Sequence, residues 1–333
     1  MSKLVTTLFI SLSLLFPLWT SAQTIAPVLQ VAVSPTTPGP GQEVTLSLSS
    51  SAADLNRSTI SWTQSGRVVS SGRGVKTFRF SAGPLGSATT ITALVRTIDG
   101  KQLRGETVIR PAEVDFLWEA DTYTPPFYRG KALASPGSTV RVTAVPHFVL
   151  GNGTRLASSE LVFTWSKDRT VLGNLSGYGR DVVELTMPSG FRPVDVMVEV
   201  SSLQNSFSVK KEMRLVPHDS RVLLYERHPL LGVLYNKALP GVIDLETEET
   251  TLRAEPLYFS LNDVRLGKIS FVWSLNGRMV PGGERSGEIT LRQEGSQQSA
   301  SVAQISLVVE NAARALQATT AEFLVNFGSE EKI

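Results

Sequence analysis

The chain has 333 residues, with 32 Lys and Arg against 30 Asp and Glu, three His and no Cys; 41% of it is hydrophobic and 19% charged. That length suits two or three domains better than one core, and the interspersed, nearly balanced charges offer no basic stripe, so no nucleic-acid partner is expected. Missing thiols exclude disulfides, cysteine nucleophiles and cysteine-based zinc or iron–sulfur sites.

Met1 to Ala22 begins with Lys3, continues as an apolar run from Leu4 to Trp19 broken by Pro17, and ends in the small residues Thr20, Ser21 and Ala22. Basic, apolar, then small is the order of an export signal cleaved after Ala22. An uncleaved span would need about 20 apolar residues. The expectation is therefore an exported chain in the periplasm, on the cell surface or outside the cell, with no stable transmembrane segment after processing. Export without cysteine points to a bacterial source.

The remainder reads as a threefold repeat. Trp62, Trp165 and Trp273 stand 103 and 108 residues apart in the matching words STISWTQSGR, LVFTWSKDRT and ISFVWSLNGR. Ile60, Phe163 and Phe271, two positions earlier, share a strand face with each tryptophan, so each indole is expected to plug a core. Ser65-Gly66, Asp168-Arg169 and Asn276-Gly277 then mark hairpin turns. Gly74, Gly179 and Gly287 lead into further strands. A long hairpin closes each unit: Ala88–Thr97 turning at Asp99-Gly100, Val194–Val200 turning near Gln204-Asn205, and Val302–Glu310 turning near Asn311. Ala312-Ala313-Arg314-Ala315-Leu316 is helix-prone by propensity and is read as strand because the repeat requires one. Short strands, regular turns and about 100 residues per unit predict an all-β chain of three sandwiches. The expected division is 1–22 signal, 23–112, 113–218 and 219–328 as domains, and 329–333 as a tail.

The junctions repeat as well. Residues 114–133 (VDFLWEADTYTPPFYRGKAL) and 221–239 (RVLLYERHPLLGVLYNKAL) share an apolar strand, Glu119 or Glu226, a proline bend, Tyr128 or Tyr235, and Lys-Ala-Leu. They are a second register for the same duplication, and Pro125-Pro126 and Pro229 are expected to break or bend the entering strand at a sheet edge. The short connections favour a semi-rigid array.

The words Pro38-Gly39-Pro40-Gly41-Gln42-Glu43-Val44-Thr45-Leu46, Ile60-Ser61-Trp62 and Phe78-Arg79-Phe80 resemble those of the immunoglobulin-like and PKD-like modules of bacterial exported proteins. The resemblance covers about 300 residues as three modules. It lacks the Trp-Asp-Phe-Gly-Asp-Gly motif of PKD modules and the cysteine pair of antibody domains, which makes immunoglobulin-like the better description. It implies three tandem sandwiches serving as a stalk, an adhesin, a pilus-associated part or a spacer, with a protein partner at the envelope and glycan as a second class of partner.

Motifs for chemistry are sparse. His147, His218 and His228 have no partners at zinc-helix spacing, and there is no P-loop, G-x-S-x-G or dinucleotide fingerprint. No enzyme activity, cofactor or metal is expected. Glu119 with Asp121 is the best carboxylate pair for glycoside hydrolysis, Glu246–Glu249 is the densest acidic run, and Glu119, Asp121 and Glu226 are too few for a calcium junction. Trp118, Tyr123, Phe127 and Tyr128 form an aromatic cluster with two readings, a sugar or partner platform or glue between neighbouring modules. Tyr225, Leu230, Leu231 and Tyr235 at the next junction favour glue. The expected function is a non-enzymatic scaffold; the alternative is a secreted carbohydrate-binding protein or hydrolase with a loop-borne carboxylate site.

Overall fold

The computed structural model describes residues 29–203, 208–245, 247–280, 287–293 and 301–327. The export signal, the Gln204-Asn205 turn and the 329–333 tail lie outside the described residues. The chain divides into two compact units, one of residues up to 33 with 45–79 and 90–107, the other of 34–44, 80–89 and 108 onward.

The first module contains β1 (Leu29–Ser34), β2 (Glu43–Ser50), β3 (Thr59–Gln64), β4 (Arg67–Arg73), β5 (Thr77–Ser81), β6 (Thr89–Arg96) and β7 (Gln102–Ile109). They form one sheet ordered β1-β2-β5 and another ordered β4-β3-β6-β7. Alternation explains which face is inward: Val44, Leu46 and Leu48 on β2, Ile60 and Trp62 on β3, and Ile91, Ala93 and Val95 on β6 are all buried. Trp62 stacks on Phe78 at 5.8 Å and donates its Nε1–H to the Val75 carbonyl at 2.9 Å. On β7, Gly105 lets β1 pass closely, because a Cβ there would lie 2.8 Å from Val31 Cγ2.

The second module contains β8 (Glu113–Ala120), β9 (Thr139–His147), β10 (Leu161–Lys167), β11 (Thr170–Val171), β12 (Gly177–Tyr178), β13 (Val182–Thr186), β14 (Val194–Ser202) and β15 (Ser208–Leu215). Its sheets run β13-β9-β8 and β11-β10-β14-β15, with β12 also on β10. Trp165 faces Val198 across the ladder, stacks on Phe116 at 5.9 Å and donates Nε1–H to the Arg180 carbonyl at 2.7 Å. In both modules the accepting carbonyl belongs to the residue after a repeated glycine, Gly74 or Gly179. The recurrence of that glycine downstream of the tryptophan thus has a mechanical origin.

The third module contains β16 (Arg221–His228), β17 (Gly232–Val233), β18 (Val242–Leu245), β19 (Glu249–Leu257), α1 (Leu261–Arg265), β20 (Ile269–Leu275), β21 (Arg278–Met279), β22 (Glu288–Arg292), β23 (Ser301–Asn311) and β24 (Ala318–Phe327). Its sheets run β17-β16-β19-β22 and β18-β24-β23-β20-β21. Among the described residues the ladders of this module are antiparallel except β18 on β24, which is parallel. The three tryptophans are 0%, 0% and 2% exposed in chain order. Each tryptophan strand ends in a two-residue turn with both φ angles positive: Ser65 47° and Gly66 85°, Asp168 48° and Arg169 69°, Asn276 48° and Gly277 76°. This is the turn whose twist matches a hairpin. The chain is therefore all-β, three tandem immunoglobulin-like sandwiches.

One expectation is corrected. Ala312–Leu316 is neither strand nor helix. β23 ends at Asn311 and β24 starts at Ala318, and the residues between them form a turn held by Asn311 N–H to Gln317 O (3.0 Å), Arg314 N–H to Asn311 O (3.0 Å) and Ala313 N–H to Asn311 Oδ1 (2.9 Å). An asparagine that satisfies its own turn outcompetes ladder pairing.

The junction words, although alike in sequence, are out of register. Val114, Phe116, Trp118 and Ala120 point inward on β8, and Glu119 faces outward opposite Arg141. On β16 the inward row is Val222, Leu224 and Glu226, with Glu226 opposite the buried Leu252. A slip of one residue turns every side chain to the other face. Glu226 is therefore the ladder counterpart of Trp118 and not of Glu119.

Candidate functional site at the junction of the second and third modules

β8 has eight residues and spans about 26 Å at roughly 3.3 Å per residue. Ala120 thus emerges at the end of the sandwich opposite Glu113, beside the third module. There the chain pairs with the loop after β19. Thr122 bridges Ser260, Tyr123 N–H donates to Phe259 O (2.7 Å), Tyr258 N–H to Tyr123 O (2.8 Å) and Leu261 N–H to Asp121 O (3.2 Å). Tyr258 holds a left-handed φ of 65°, a strained conformation for a bulky residue. The reversal buries Phe259 completely.

Five of the six tyrosines gather here, around Glu255, which is 1% exposed. Tyr123 donates its hydroxyl to Oε2 at 2.6 Å, Tyr235 to Oε1 at 2.7 Å, and Arg253 Nε to Oε1 at 3.2 Å. Arg253 also reaches Glu288 at 3.3 Å, and Arg227 pairs with the same carboxylate. Tyr225 packs edge-on against Tyr235 at 5.1 Å, and Tyr128 against Tyr258 at 6.3 Å with their hydroxyls 2.7 Å apart. Burial foremost, then the Glu255 carboxylate, raises the Tyr123 phenol well above its ordinary range and Tyr235 to about 12. Burial and the Tyr128 hydroxyl raise Tyr258 to about 12. A buried carboxylate that accepts three donors, two of them phenols that stay protonated, offsets its own desolvation.

A second polar network lies beside it. Asp263 on α1 is 2% exposed and accepts from Arg314 Nε (2.8 Å), Asn311 Nδ2 (3.1 Å) and Lys268 Nζ (3.3 Å). Burial acts to raise its carboxyl, but these three donors outweigh burial and hold it at about 2. Arg314 reaches across to the Gly137 carbonyl of the second module. Gln317, fully buried, donates to Ser135 Oγ at 3.0 Å and Pro136 O at 2.9 Å, and accepts from Ser260 N–H at 2.9 Å and Asn311 Nδ2 at 2.8 Å. The turn at 312–317 is thus the element that grips the second module.

The candidate residues separate into distinct places. Tyr123, Tyr128 and Tyr235 meet at this junction. Tyr128 lies in the segment after β8 and meets Tyr258 of the third module. Trp118 packs against the second core, with Lys131 Nζ 3.3 Å above its ring. Phe127, at φ 60°, is 87% exposed. Trp118, Tyr123, Phe127 and Tyr128 therefore do not form one cluster. Glu119 and Asp121 line a depression with Arg141, whose Nη2 pairs with Glu184 at 2.7 Å. His147 contacts Asp115 at 3.0 Å, and His228 Nδ1 accepts from the backbone of Leu230 and Leu231. Of the acidic run, Glu246 lies outside the described residues and Glu249 pairs with Arg292. Among the described residues no group of three or more His, Asp or Glu could hold a metal ion, and no helix is long and apolar enough to cross a membrane.

Sequence reasoning missed Glu255, Tyr258, Asp263, Arg314 and Gln317. One signal was present for the first: an acid on a strand between Ala254 and Pro256-Leu257-Tyr258-Phe259, where a solvated position has no reason to sit.

No family model matches the chain, and no curated protein matches it. Solved structures of tandem modules do. The three N-terminal domains of the bacteriophage RB49 highly immunogenic outer capsid protein match at 12% identity over 91% of this chain and 99% of that one, with a TM-score of 0.26. The central fibronectin-III array of RIM-binding protein matches at 11% over 90% and 97%, with 0.28. The Bacteroides ovatus protein SGBP-B of a mixed-linkage glucan utilization locus, solved with a mixed-linkage heptasaccharide, matches at 14% over 90% and 70%, with 0.20. All three TM-scores are below 0.5, and the fold is defined by this chain's own registers and cores.

Proposed function

We propose that the protein is an exported, non-enzymatic scaffold of a bacterial envelope or surface, which holds an interaction surface for a protein partner at a fixed geometry in an adhesive or pilus-associated assembly. One observation carries the reading: the second and third modules are joined by a backbone bridge and two buried polar networks instead of a flexible linker. A junction of this kind transmits orientation, which is what a scaffold needs and an isolated binding module does not. The leader Met1–Ala22 supports export. Aromatic and charged groups at the junction are directed at each other, in keeping with a structural role.

The test is crosslinking of the tagged full-length chain in its own host, followed by mass spectrometry of the N-terminus and the captured species. A chain starting near Gln23 and crosslinked to envelope proteins supports the proposal. A processed chain free in the medium and bound only to glycan refutes it in favour of a carbohydrate-binding role.

A further inference from the structure

The second and third modules differ at one inward position of equivalent ladders. In the second, Val183, Val142 and Trp118 lie side by side across β13, β9 and β8; in the third, Ile289, Leu252 and Glu226 lie side by side across β22, β19 and β16. An indole closes the first row, and a carboxylate ends the second. Glutamate is much the smaller side chain, and beside it is a cavity of about 440 Å³. Leu239, Ile243 and Leu252 line it, with Asp244 and Lys237 also on its wall. The cavity arises where the chain changes sheets: β17 stays on β16, whereas β18 crosses to β24.

Among the described residues no hydrogen bond or ion pair reaches the Glu226 carboxylate. Asp244, which accepts from Asn326 Nδ2 at 2.7 Å, lines the same cavity, as does the exposed Lys237, so two carboxylates and one ammonium lie on its wall. A partly buried anion without a partner costs free energy that a cation would offset. Leu239, Ile243 and Leu252 beside an unpaired carboxylate give a cavity of mixed lining both an apolar patch for a short alkyl stem and a charge to meet a cation. We propose that this cavity binds an alkylammonium group, supplied by a lysine side chain of a polypeptide or by a free aliphatic amine, with Glu226 meeting the nitrogen and the leucine-isoleucine wall meeting the alkyl stem. The site lies within the third module and does not depend on the scaffold reading.

The experiment is an NMR titration of the full-length chain with n-pentylamine, with Nα-acetyl-lysine N-methylamide and with n-pentanol, following backbone amides of Lys237, Leu239 and Ile243. Saturable shifts are expected with pentylamine, with affinity about tenfold lower or lost for pentanol and for Glu226→Gln, the scale of one ionic contact. Binding of the blocked lysine as well assigns the ligand to a polypeptide side chain; binding of pentylamine alone assigns it to a free amine. Glu226→Trp, which copies the second module, should abolish binding and raise the unfolding midpoint. Absence of saturable shifts with both amines, equal binding of pentanol, or unchanged amine affinity in Glu226→Gln overturns the proposal.

Discussion

Replacing Glu255 by glutamine keeps the volume of the junction and removes its charge. Three donors converge on this carboxylate: the Tyr123 and Tyr235 hydroxyls at 2.6 and 2.7 Å and Arg253 Nε at 3.2 Å. Hydrogen bonds to charged groups contribute about 1.5–3 kcal/mol against about 0.5–1.5 for neutral ones, so each bond loses about 1 kcal/mol and the site about 3. Urea unfolding of the full chain, followed by tryptophan fluorescence, should show that loss in the transition of the second and third modules. A second readout is independent of stability. Absorbance titration of the phenols should move Tyr235 down from about 12 toward its ordinary value, stopping short of it because burial remains. The sign also fixes a pH window. A phenol raised in the folded state contributes stability in full below about pH 10, and that contribution is lost as pH rises toward 12. A loss under about 1 kcal/mol together with an unchanged phenol titration would refute the account of this junction.

Arg169 occupies a left-handed position that Gly66 and Gly277 fill in the other modules; Arg169→Gly should stabilise the second module by about 0.5–1 kcal/mol in thermal unfolding, and a destabilised variant would reject the turn assignment. Asp263, lowered to about 2 by its three donors, contributes stability that is complete above its unfolded pKa near 4 and is lost as pH falls through 2. Asp263→Asn should therefore cost about 2 kcal/mol at pH 6 and little at pH 2, and a difference that persists undiminished in acid rules this out.

The strands were legible because their alternation and turns are local properties. Trp62, Trp165 and Trp273 announced the sandwiches, since an indole two residues from another apolar group has one sheet face to choose. The junction was legible only in composition. Tyr128 and Tyr235 were recognisable as repeated residues, but their partners Tyr258 and Glu255 are 130 and 20 positions away, and nothing local joins them. Glu119 and Glu226 mark the limit of reading by alignment: similar words on two strands present opposite faces, because the register is set by β9 and β19 and not by the words themselves. Arg314 was hidden for a further reason. Helix propensity and repeat logic competed over a segment whose structure follows from Asn311 and from contacts with the second module.

The parallel pairing of β18 with β24 has a mechanical consequence. Val242–Leu245 and Leu324–Phe327 run side by side in the same direction, Val242 opposite Leu324 and Leu245 opposite Phe327. A pull that draws the start of β18 backward and the end of β24 forward slides one strand along the other. Every bond of that short ladder is then loaded at once, whereas a hairpin pulled from its open end parts one bond at a time. A parallel ladder pulled in this way is placed to bear tension in shear.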